Sequence, residues 1–354
     1  MAPLLLKFKE SSEFKVALCN TGQHKDLLDP ILTFFKIKAD YNLDVMKPNQ
    51  SLHQLTASIL LSTKIVYDDF KPDYVLVHGD TTTSFAASLS AFYNNIKVAH
   101  IEAGLRTFNK RAPFPEEINR SINGRLADIH FAPTESSKNN LIKEDIDAST
   151  VIVTGNTVID ALLASLNLVP LDRIKDLQNL IENKKVILFT GHRRENFNGG
   201  FEEVFRCLAD LTECRDDTLI IYPVHPNPNV KLLAQQYFKN SKKIILIDPL
   251  DYGEFVWLME KSYLIITDSG GIQEEAPSLG KPVLVIREVT ERPEAVVSGT
   301  VILVGTDYEK IMVNTNKLLD DQAFYSKMAS IINPYGDGKA SERIINFFLN
   351  QINE

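Results

Sequence analysis

Several features that define whole classes of protein are scarce or missing from this sequence. Its 354 residues include 3 cysteines, Cys19, Cys207 and Cys214, and no two of them have Cys-x-x-Cys spacing. That pattern favours neither a disulfide framework nor a zinc site, and it is typical of the reducing cytoplasm. No apolar run approaches the ~20 residues of a membrane span. The apolar run at residues 4–6 is too short for a signal peptide.

The sequence also lacks an excess of positive charge. Lys and Arg total 38 against 46 Asp and Glu, which gives a formal net charge of −8. Phosphate neutralisation needs a basic surface, so a nucleic-acid partner is disfavoured, although a local basic pocket for a phosphorylated small molecule is compatible. Neither G-x-G-x-x-G nor a Walker A sequence occurs, so the usual fingerprints of dinucleotide and ATP-type phosphate loops are absent.

Short apolar runs alternate with helical patterns along the chain. The runs are continuous, as expected of strands buried on both faces of a parallel sheet, and they lie at residues 14–19, 74–78, 98–101, 151–154, 186–190, 218–224, 244–247, 263–267 and 283–286. Helical patterns cover residues 83–93, 202–211, 252–259 and 341–352, and Pro3 suits the first turn of an opening helix. This is the rhythm of a doubly wound α/β fold. The long segment 159–185 interrupts it and predicts two domains, at 1–160 and 161–334.

Polar residues follow at least five of the predicted strands. In open α/β sheets ligands bind at the carboxyl ends of strands, so polar groups at strand ends in both halves predict an active site in a cleft between two domains. Ser269, Gly270 and Gly271 precede a helix near residue 272, where small residues and a helix N-terminus suit a phosphate or diphosphate. Simple capping, with acidic residues at the positive helix end, explains the same residues equally well. Glu275 suits ribose hydroxyls, and Arg292 suits phosphate.

The candidate acid and base residues each have a structural alternative. Asp80 suits an N-cap, and Glu116 suits the first turn of a helix in which Arg120 pairs with Glu116 or Glu117. Glu102 is harder to explain structurally, because an acidic residue ending a buried strand is costly unless it is paired or used. A lone histidine such as His192 is more often structural than catalytic. His100 and Glu102 share one face of a strand, but no further cluster of His, Cys, Asp or Glu has the spacing of metal ligands, so a metal site is disfavoured.

Six motifs in a fixed order carry a family resemblance. They are His-Gly-Asp-Thr-Thr-Thr at 78–83, His-Ile-Glu-Ala-Gly-Leu-Arg-Thr at 100–107, Pro-Phe-Pro-Glu-Glu-Ile-Asn-Arg at 113–120, Gly-Asn-Thr-Val-Ile-Asp at 155–160, Thr-Gly-His-Arg-Arg-Glu-Asn at 190–196 and Asp-Ser-Gly-Gly-Ile-Gln-Glu-Glu-Ala-Pro at 268–277. With Thr-Glu-Arg-Pro-Glu-Ala at 290–295 and Asn-Pro-Tyr-Gly-Asp-Gly at 333–338, the sequence resembles the bacterial non-hydrolysing UDP-N-acetylglucosamine 2-epimerases over essentially its whole length.

The resemblance implies a fold and a reaction. The fold is two Rossmann-like doubly wound domains in the glycosyltransferase-B arrangement, with UDP in the interdomain cleft and a last helix, 335–354, that returns to the N-terminal domain. The reaction interconverts UDP-N-acetylglucosamine and UDP-N-acetylmannosamine through anti elimination of UDP, 2-acetamidoglucal and re-addition. The resemblance further implies that the enzyme needs no cofactor, is a homodimer in the cytoplasm and serves polysaccharide biosynthesis.

The resemblance also implies roles for particular residues. The catalytic group is Asp80, Glu102, Glu116 and His192. The uridine-diphosphate site is Phe255, Ser269, Gly270, Gly271, Glu275 and Arg292. In related enzymes the substrate also activates from a second site, to which Gln23, His24, Arg194 and His225 correspond.

The sequence departs from the family pattern at its start. The family opens with a strand and a Gly-Thr-Arg-Pro-Glu loop, whereas residues 1–4 match the family immediately after that loop. A longer chain with an upstream start and a truncated gene both explain this. Because a central strand would be missing, we expect a chain that starts at Met1 to be poorly soluble and nearly inactive. Alternatives to the epimerase are an inactive UDP-sugar-binding remnant and a glycosyltransferase of the same architecture.

Overall fold

The computed structural model describes residues 1–169, 171–191 and 200–353. The chain divides into two compact units. The first unit consists of Met1–Ala164 together with Tyr335–Glu354, and the second unit is Ser165–Pro334. The boundary expected between residues 160 and 161 therefore lies between Ala164 and Ser165 in the structure.

The strands of the first unit form two parallel sheets. In the described part of this unit, β1 (Cys19–Asn20) pairs only with β2 (Tyr41–Asn42). The larger sheet has the strand order β3-β4-β5-β6, and its strands are β3 (Tyr74–His78), β4 (Lys97–Ile101), β5 (Ile129–Ala132) and β6 (Val151–Val153). The register aligns His78 with Ile101, so the carboxyl ends of β3 and β4 lie side by side. The residues that follow these two strands therefore share one edge of the sheet.

Helices cover the sheets of the first unit. They are α1 (Ala2–Glu10), α2 (Lys25–Phe34), α3 (Leu52–Phe70), α4 (Thr82–Tyr93), α5 (Glu116–Leu126), α6 (Glu135–Lys143) and α7 (Thr157–Ser165), with a 3-10 turn at Ala148–Thr150. Local chemistry explains where they begin. Ser51 and Gln54 form a reciprocal capping box before α3, and the Thr81 hydroxyl accepts a hydrogen bond from the Ser84 amide before α4.

The second unit has one six-stranded parallel sheet. Its strand order is β12-β11-β10-β7-β8-β9, formed by β7 (Lys185–Thr190), β8 (Thr218–Pro223), β9 (Ile244–Ile247), β10 (Leu264–Thr267), β11 (Val283–Val285) and β12 (Val301–Leu303). The order reverses between β7 and β10. In doubly wound sheets this switch point is where ligands bind, beyond the carboxyl ends of the strands.

The helices of the second unit alternate with these strands. They are α8 (Leu171–Ile181), α9 (Gly200–Glu213), α10 (Pro228–Phe238), α11 (Tyr252–Lys261), α12 (Gly270–Glu275), α13 (Pro293–Ser298), α14 (Tyr308–Asp320) and α15 (Gln322–Ala329), with a 3-10 turn at Ala276–Leu279. Phe189 of β7, Phe205 of α9 and Tyr222 of β8 are fully buried and pack edge to face in the core.

The last helix, α16 (Ala340–Asn353), belongs to the first unit. The Asp160 carboxylate of α7 accepts hydrogen bonds from the amides of Ala340 (3.2 Å) and Ser341 (2.7 Å), which caps the start of α16. Further along, Phe348 packs against Phe8 of α1 and Phe131 of β5 in a buried cluster. The returning segment is thus fixed by a charged cap at one end and an aromatic core at the other.

Most of the predicted elements are confirmed, and one is wrong. The helices predicted at 83–93, 202–211, 252–259 and 341–352 are present with slightly different ends. Of the strand predicted at 14–19, only Cys19 lies in a strand. The amide of Leu18, the preceding residue, donates to the Asp40 carboxylate at 2.8 Å and not to a neighbouring strand. The strands β2, β5 and β12 were not predicted from the sequence.

Candidate active site

The turn after β3 is held by its own main chain and three side chains. Gly79 has a φ of 64°, a left-handed conformation that glycine adopts without strain. Its carbonyl oxygen accepts hydrogen bonds from His100 Nε2 (2.7 Å), Asn123 Nδ2 (3.3 Å) and the Ser84 hydroxyl (3.3 Å). A Cβ at this position would lie 3.3 Å from Glu102 Oε1. The turn that carries Asp80 is therefore rigid and packed against the Glu102 side chain.

Asp80 is held at its carboxylate and at its main chain. Arg120 Nη2 donates to Asp80 Oδ2, and Asn119 Nδ2 donates to the Asp80 carbonyl at 2.9 Å. The helix cap that the sequence offered to Asp80 belongs instead to Thr81. Asp80 keeps 23% of its side chain exposed. The capping alternative is therefore wrong, and the carboxylate is oriented by a guanidinium.

Glu102 follows β4 in a strained conformation. Its φ is 63°, in the left-handed region, where a residue with a Cβ costs about 1–3 kcal/mol relative to a relaxed backbone. Its Oε2 accepts a hydrogen bond from Asn156 Nδ2 at 3.2 Å and lies 3.8 Å from His78 Nε2. Strain of this kind persists where the surrounding structure holds a side chain in place for a function.

Burial keeps two histidines of this edge neutral. It lowers the pKa of His78 to about 3, and it lowers the pKa of His100 to about 3 as well. The His78 side chain keeps 34% of its surface exposed, and its lowered pKa favours the neutral form beside Glu102. Since His100 Nε2 donates to the Gly79 carbonyl, its Nδ1 has no proton, and no described residue bonds that buried nitrogen.

The two glutamates that begin α5 have different surroundings. Glu116 is half-buried at the first helical position, after Pro115. Glu117 is 3% exposed, and its carboxylate accepts hydrogen bonds from the amides of Thr107 (3.0 and 3.1 Å) and Phe108 (2.8 Å). Glu117 thus joins α5 to the segment after Glu102, while Glu116 is the more accessible of the pair.

The switch point of the second unit carries small and hydroxyl-bearing residues. The hydroxyl groups of Thr190 and Thr267 are 2.6 Å apart at the ends of β7 and β10, and the Ser269 amide donates to the Thr267 hydroxyl at 2.9 Å. Ser269 is the N-cap of α12, but its side chain makes no capping bond among the described residues. A Cβ at Gly271 would meet no atom closer than Ser269 Oγ at 4.0 Å, so the start of α12 is open.

The two glutamates at the end of α12, Glu274 and Glu275, differ in their surroundings. Burial, with a smaller contribution from Glu274, raises the pKa of Glu275 to about 8. Arg292 Nε donates to the buried Glu274 carboxylate, and Asn333 Nδ2 donates to the Glu274 carbonyl at 2.6 Å. The arginine predicted to neutralise phosphate is therefore anchored to α12. Phe255 is half-buried on α11.

The residues predicted for an activator site are scattered over both units. Gln23 accepts hydrogen bonds from the Thr83 amide (2.9 Å) and hydroxyl (2.6 Å), so it is attached to the start of α4 beside Asp80. His24 is exposed, and both residues line an open cavity of about 630 Å³ within the first unit. His225 is exposed in the second unit, and its Nδ1 accepts from the Asn227 amide at 3.2 Å.

Two predicted residues, His192 and Arg194, lie outside the described residues.

Within the described ranges, no group of three or more His, Cys, Asp and Glu side chains is arranged to hold a metal ion. None of the helices in those ranges is long and apolar enough to cross a membrane.

Sequence reasoning missed two partners of the carboxylates. Asn156, which holds Glu102, was noted only as part of a motif, and the bond from Arg120 to Asp80 spans 40 positions. The available signal was weak, because each is one polar residue among several within its motif. Only the fold shows which carboxylate each one reaches.

Comparison with known proteins identifies the family. The family profile described as UDP-N-acetylglucosamine 2-epimerase matches residues 6–349. The UDP-N-acetylglucosamine 2-epimerase of Campylobacter jejuni is 51% identical, and the alignment covers 99% of this chain and 94% of that protein.

Two solved structures extend the comparison. The UDP-GlcNAc 2-epimerase of Neisseria meningitidis bound to UDP-GlcNAc has a TM-score of 0.86 and 49% identity, covering 99% of this chain and 96% of that one. The enzyme of Methanocaldococcus jannaschii in complex with UDP-GlcNAc and UDP has a TM-score of 0.77 and 32% identity, covering 99% and 95%. This α/β chain belongs to the UDP-N-acetylglucosamine 2-epimerase family.

Proposed function

We propose that this chain interconverts UDP-N-acetylglucosamine and UDP-N-acetylmannosamine by inverting carbon 2. Membership of the epimerase family supports the substrate and the reaction. The observation that carries the proposal is Glu102, an acidic residue kept in a left-handed backbone conformation beside Asp80 and bonded by Asn156. Glu102 follows the carboxyl end of β4, where open α/β sheets bind their ligands, and its carboxylate is held there by Asn156.

The reaction proceeds by elimination and re-addition. The carbon 2 proton is weakly acidic, so a positioned carboxylate removes it while the bond from carbon 1 to the phosphate oxygen breaks. UDP leaves with that electron pair, which yields 2-acetamidoglucal. The diphosphate oxygen then attacks carbon 1, and a proton is delivered to carbon 2 from the opposite face. Electrons and protons balance without a redox partner.

We assign proton transfer to the first unit and UDP binding to the second. Asp80, Glu102 and Glu116 act as the carboxylates of the first unit. His192, which belongs to the sequence of the second unit and lies outside the described residues, is assigned to the same catalytic group. The open start of α12, formed by Ser269, Gly270 and Gly271, suits the negative charge that develops on departing UDP. Glu275, Arg292 and Phe255 complete the uridine-diphosphate site.

We also propose a second substrate site and an oligomeric state. Gln23, His24, Arg194 and His225 form a second substrate site that activates the enzyme, which predicts a sigmoidal rate against UDP-N-acetylglucosamine. The active species is a homodimer, which light scattering of the purified chain measures as twice the chain mass.

Proton NMR in heavy water tests the reaction. The chain is incubated with UDP-N-acetylglucosamine, and deuterium at carbon 2 and the epimer are followed together. The epimerase proposal predicts deuterium in both sugars and formation of UDP-N-acetylmannosamine, and this result would overturn the expectation that a chain starting at Met1 is nearly inactive. A folded chain that binds UDP without exchange, or that transfers sugar to an acceptor, would contradict the proposal. The Glu102→Gln variant controls for a contaminating epimerase.

A further inference from the structure

The Arg120 guanidinium lies between two carboxylates of the first unit. Nη2 donates to Asp80 Oδ2, and Nη1 lies 3.5 Å from Glu117 Oε2. The side chains of Arg120 and Glu117 are only 12% and 5% exposed. Because water is largely excluded, each charge interacts strongly with its neighbours. One buried cation therefore serves two acidic groups that have different surroundings.

Glu117 has partners that explain why it is buried. Its carboxylate accepts three hydrogen bonds of 2.8–3.1 Å from the amides of Thr107 and Phe108. These amides belong to the segment that continues from Glu102. Hydrogen bonds thus join that segment to Glu117 and Arg120 to Asp80, and an ion pair at 3.5 Å joins Glu117 to Arg120.

These contacts connect the residues that follow two neighbouring strands. The turn at Asp80 follows β3, the Thr107 segment follows β4, and α5 carries both Arg120 and Glu117. Bonds from α5 therefore fix the residues after two neighbouring strands relative to each other. A planar guanidinium suits the task because its two NH₂ groups reach separate acceptors in a fixed geometry.

We propose that Arg120 and Glu117 are positioning residues that orient the Asp80 carboxylate during turnover. They act through Asp80, and the inference rests on the proposed epimerase function. In this role Arg120 sets the direction of Asp80, and Glu117 sets the direction of Arg120 while tying down the segment after Glu102.

Three substitutions separate the contributions. Arg120→Gln removes the charge, and Arg120→Lys keeps the charge but cannot reach both carboxylates with a fixed fork. Glu117→Gln keeps the size and one oxygen for the Thr107 and Phe108 amides, but it removes the negative charge and places an NH₂ group where Oε2 faces Arg120 Nη1. Because small displacements of a reacting group are costly, we expect Arg120→Gln to lower kcat by about 100-fold with little change in KM. Arg120→Lys and Glu117→Gln lose less.

A second arginine–carboxylate pair supplies the control. The buried Arg106 binds the partly exposed Glu144 through two bonds of 2.7 and 2.8 Å, also within the first unit. Because Arg106 precedes Thr107, Glu144→Gln loosens the segment after Glu102 while it leaves the contacts among Glu117, Arg120 and Asp80 in place. Thermal unfolding shows how much stability each variant loses, so loss of folding is measured separately from loss of positioning.

The decisive readout is a ratio that does not depend on the amount of active enzyme. Reactions in heavy water give the deuterium in recovered UDP-N-acetylglucosamine, the deuterium in the epimer and the amount of free 2-acetamidoglucal. A misplaced Asp80 changes how the intermediate divides among these products. We expect the ratios to change in both Arg120 variants and in Glu117→Gln, and to stay at the wild-type values in Glu144→Gln.

Other outcomes overturn the inference. If the ratios are unchanged in the Arg120 and Glu117 variants and rates fall only with the folded fraction, the residues are merely structural. The same holds if Glu144→Gln changes the ratios equally. Absence of exchange in the wild-type chain would instead count against the proposed function. Should Arg120→Gln fail to fold, Arg120→Lys carries the test alone.

Discussion

In the first unit the carboxylates Asp80 and Glu102 follow β3 and β4, whereas the described part of the switch point in the second unit presents the hydroxyl groups of Thr190 and Thr267 and the small residues that begin α12. In the first unit Asp80, Glu102 and Glu117 are each held by named donors. In the second unit the switch point has the open start of α12, and its arginine, Arg292, is anchored to Glu274. The difference indicates a division of labour between proton transfer and anion binding.

Burial shifts pKa values in opposite directions in the two units, with the same result for charge. It lowers the pKa of His78 to about 3 in the first unit and raises the pKa of Glu275 to about 8 in the second. Both shifts favour the uncharged form near neutral pH. The Asp80 carboxylate of the first unit is instead paired with Arg120.

The strongest test of the comparison is Glu102→Gln. A missing general base or acid costs a factor of about 100 or more, so carbon 2 exchange should fall by at least that amount. UDP affinity, which we assign to the second unit, should not change. Exchange is measured by NMR and affinity by calorimetry. A parallel loss of UDP affinity would break the proposed division, and Glu144→Gln is the control.

The reverse experiment is Gly271→Leu in the second unit. The space beside Gly271 is open, so the side chain can be accommodated, but it would occupy the start of α12. Losing one well-placed anion contact costs roughly 1.5–3 kcal/mol, so we expect UDP to bind about tenfold to 100-fold more weakly. Thermal stability should be unchanged. Unaltered UDP binding would place the diphosphate elsewhere, and the exposed Val297→Leu is the control.

The raised pKa of Glu275 predicts a pH-dependent stability. A carboxyl whose pKa rises from 4.5 to about 8 on folding contributes stability that is complete below pH 4.5 and lost as pH rises through about 8. Glu275→Gln does not titrate. We therefore expect the variant to melt a few degrees above the wild-type chain at about pH 9, with the difference shrinking toward about pH 5.

Thermal unfolding of both chains across that range measures the effect. The exposed Glu213→Gln, also in the second unit, should show no such trend. A difference that is constant with pH would mean that Glu275 does not titrate differently in the folded chain.

The smallest effect isolates the strain at Glu102. Glu102→Gly and Glu102→Ala both remove the carboxylate and its bond to Asn156. Only glycine adopts a φ of 63° without strain, so Glu102→Gly should be about 1 kcal/mol more stable than Glu102→Ala. Denaturant unfolding compares the two. Equal stabilities would show that the left-handed backbone at this position is not strained.

Sequence reasoning predicted the features that depend on local pattern. The parallel α/β class, the helix at 83–93 and the polar strand ends follow from periodicity and from turn residues. The strand at 14–19 was wrong because pairing depends on a partner, and β1 joins β2 only at Cys19 and Asn20. Apolar composition alone does not supply the partner.

Sequence reasoning proposed candidate site residues but not the contacts between them. Asp80 and Glu102 were chosen from the sequence, yet the cap assigned to Asp80 belongs to Thr81. Arg120 pairs with Glu117 and not with Glu116, and it also pairs with Asp80. The contact between Arg120 and Glu117 is local to α5, but the contact with Asp80 joins residues 40 positions apart and depends on the packing of α5 beside the turn after β3.

One measurement tests the central claim most directly, that the first unit moves the proton and the second unit binds UDP. Calorimetric titration with UDP and NMR exchange at carbon 2 are run on the same sample of Glu102→Gln beside the wild-type chain. The account predicts wild-type UDP affinity with exchange reduced by about 100-fold or more. Exchange at the wild-type rate in Glu102→Gln would contradict it.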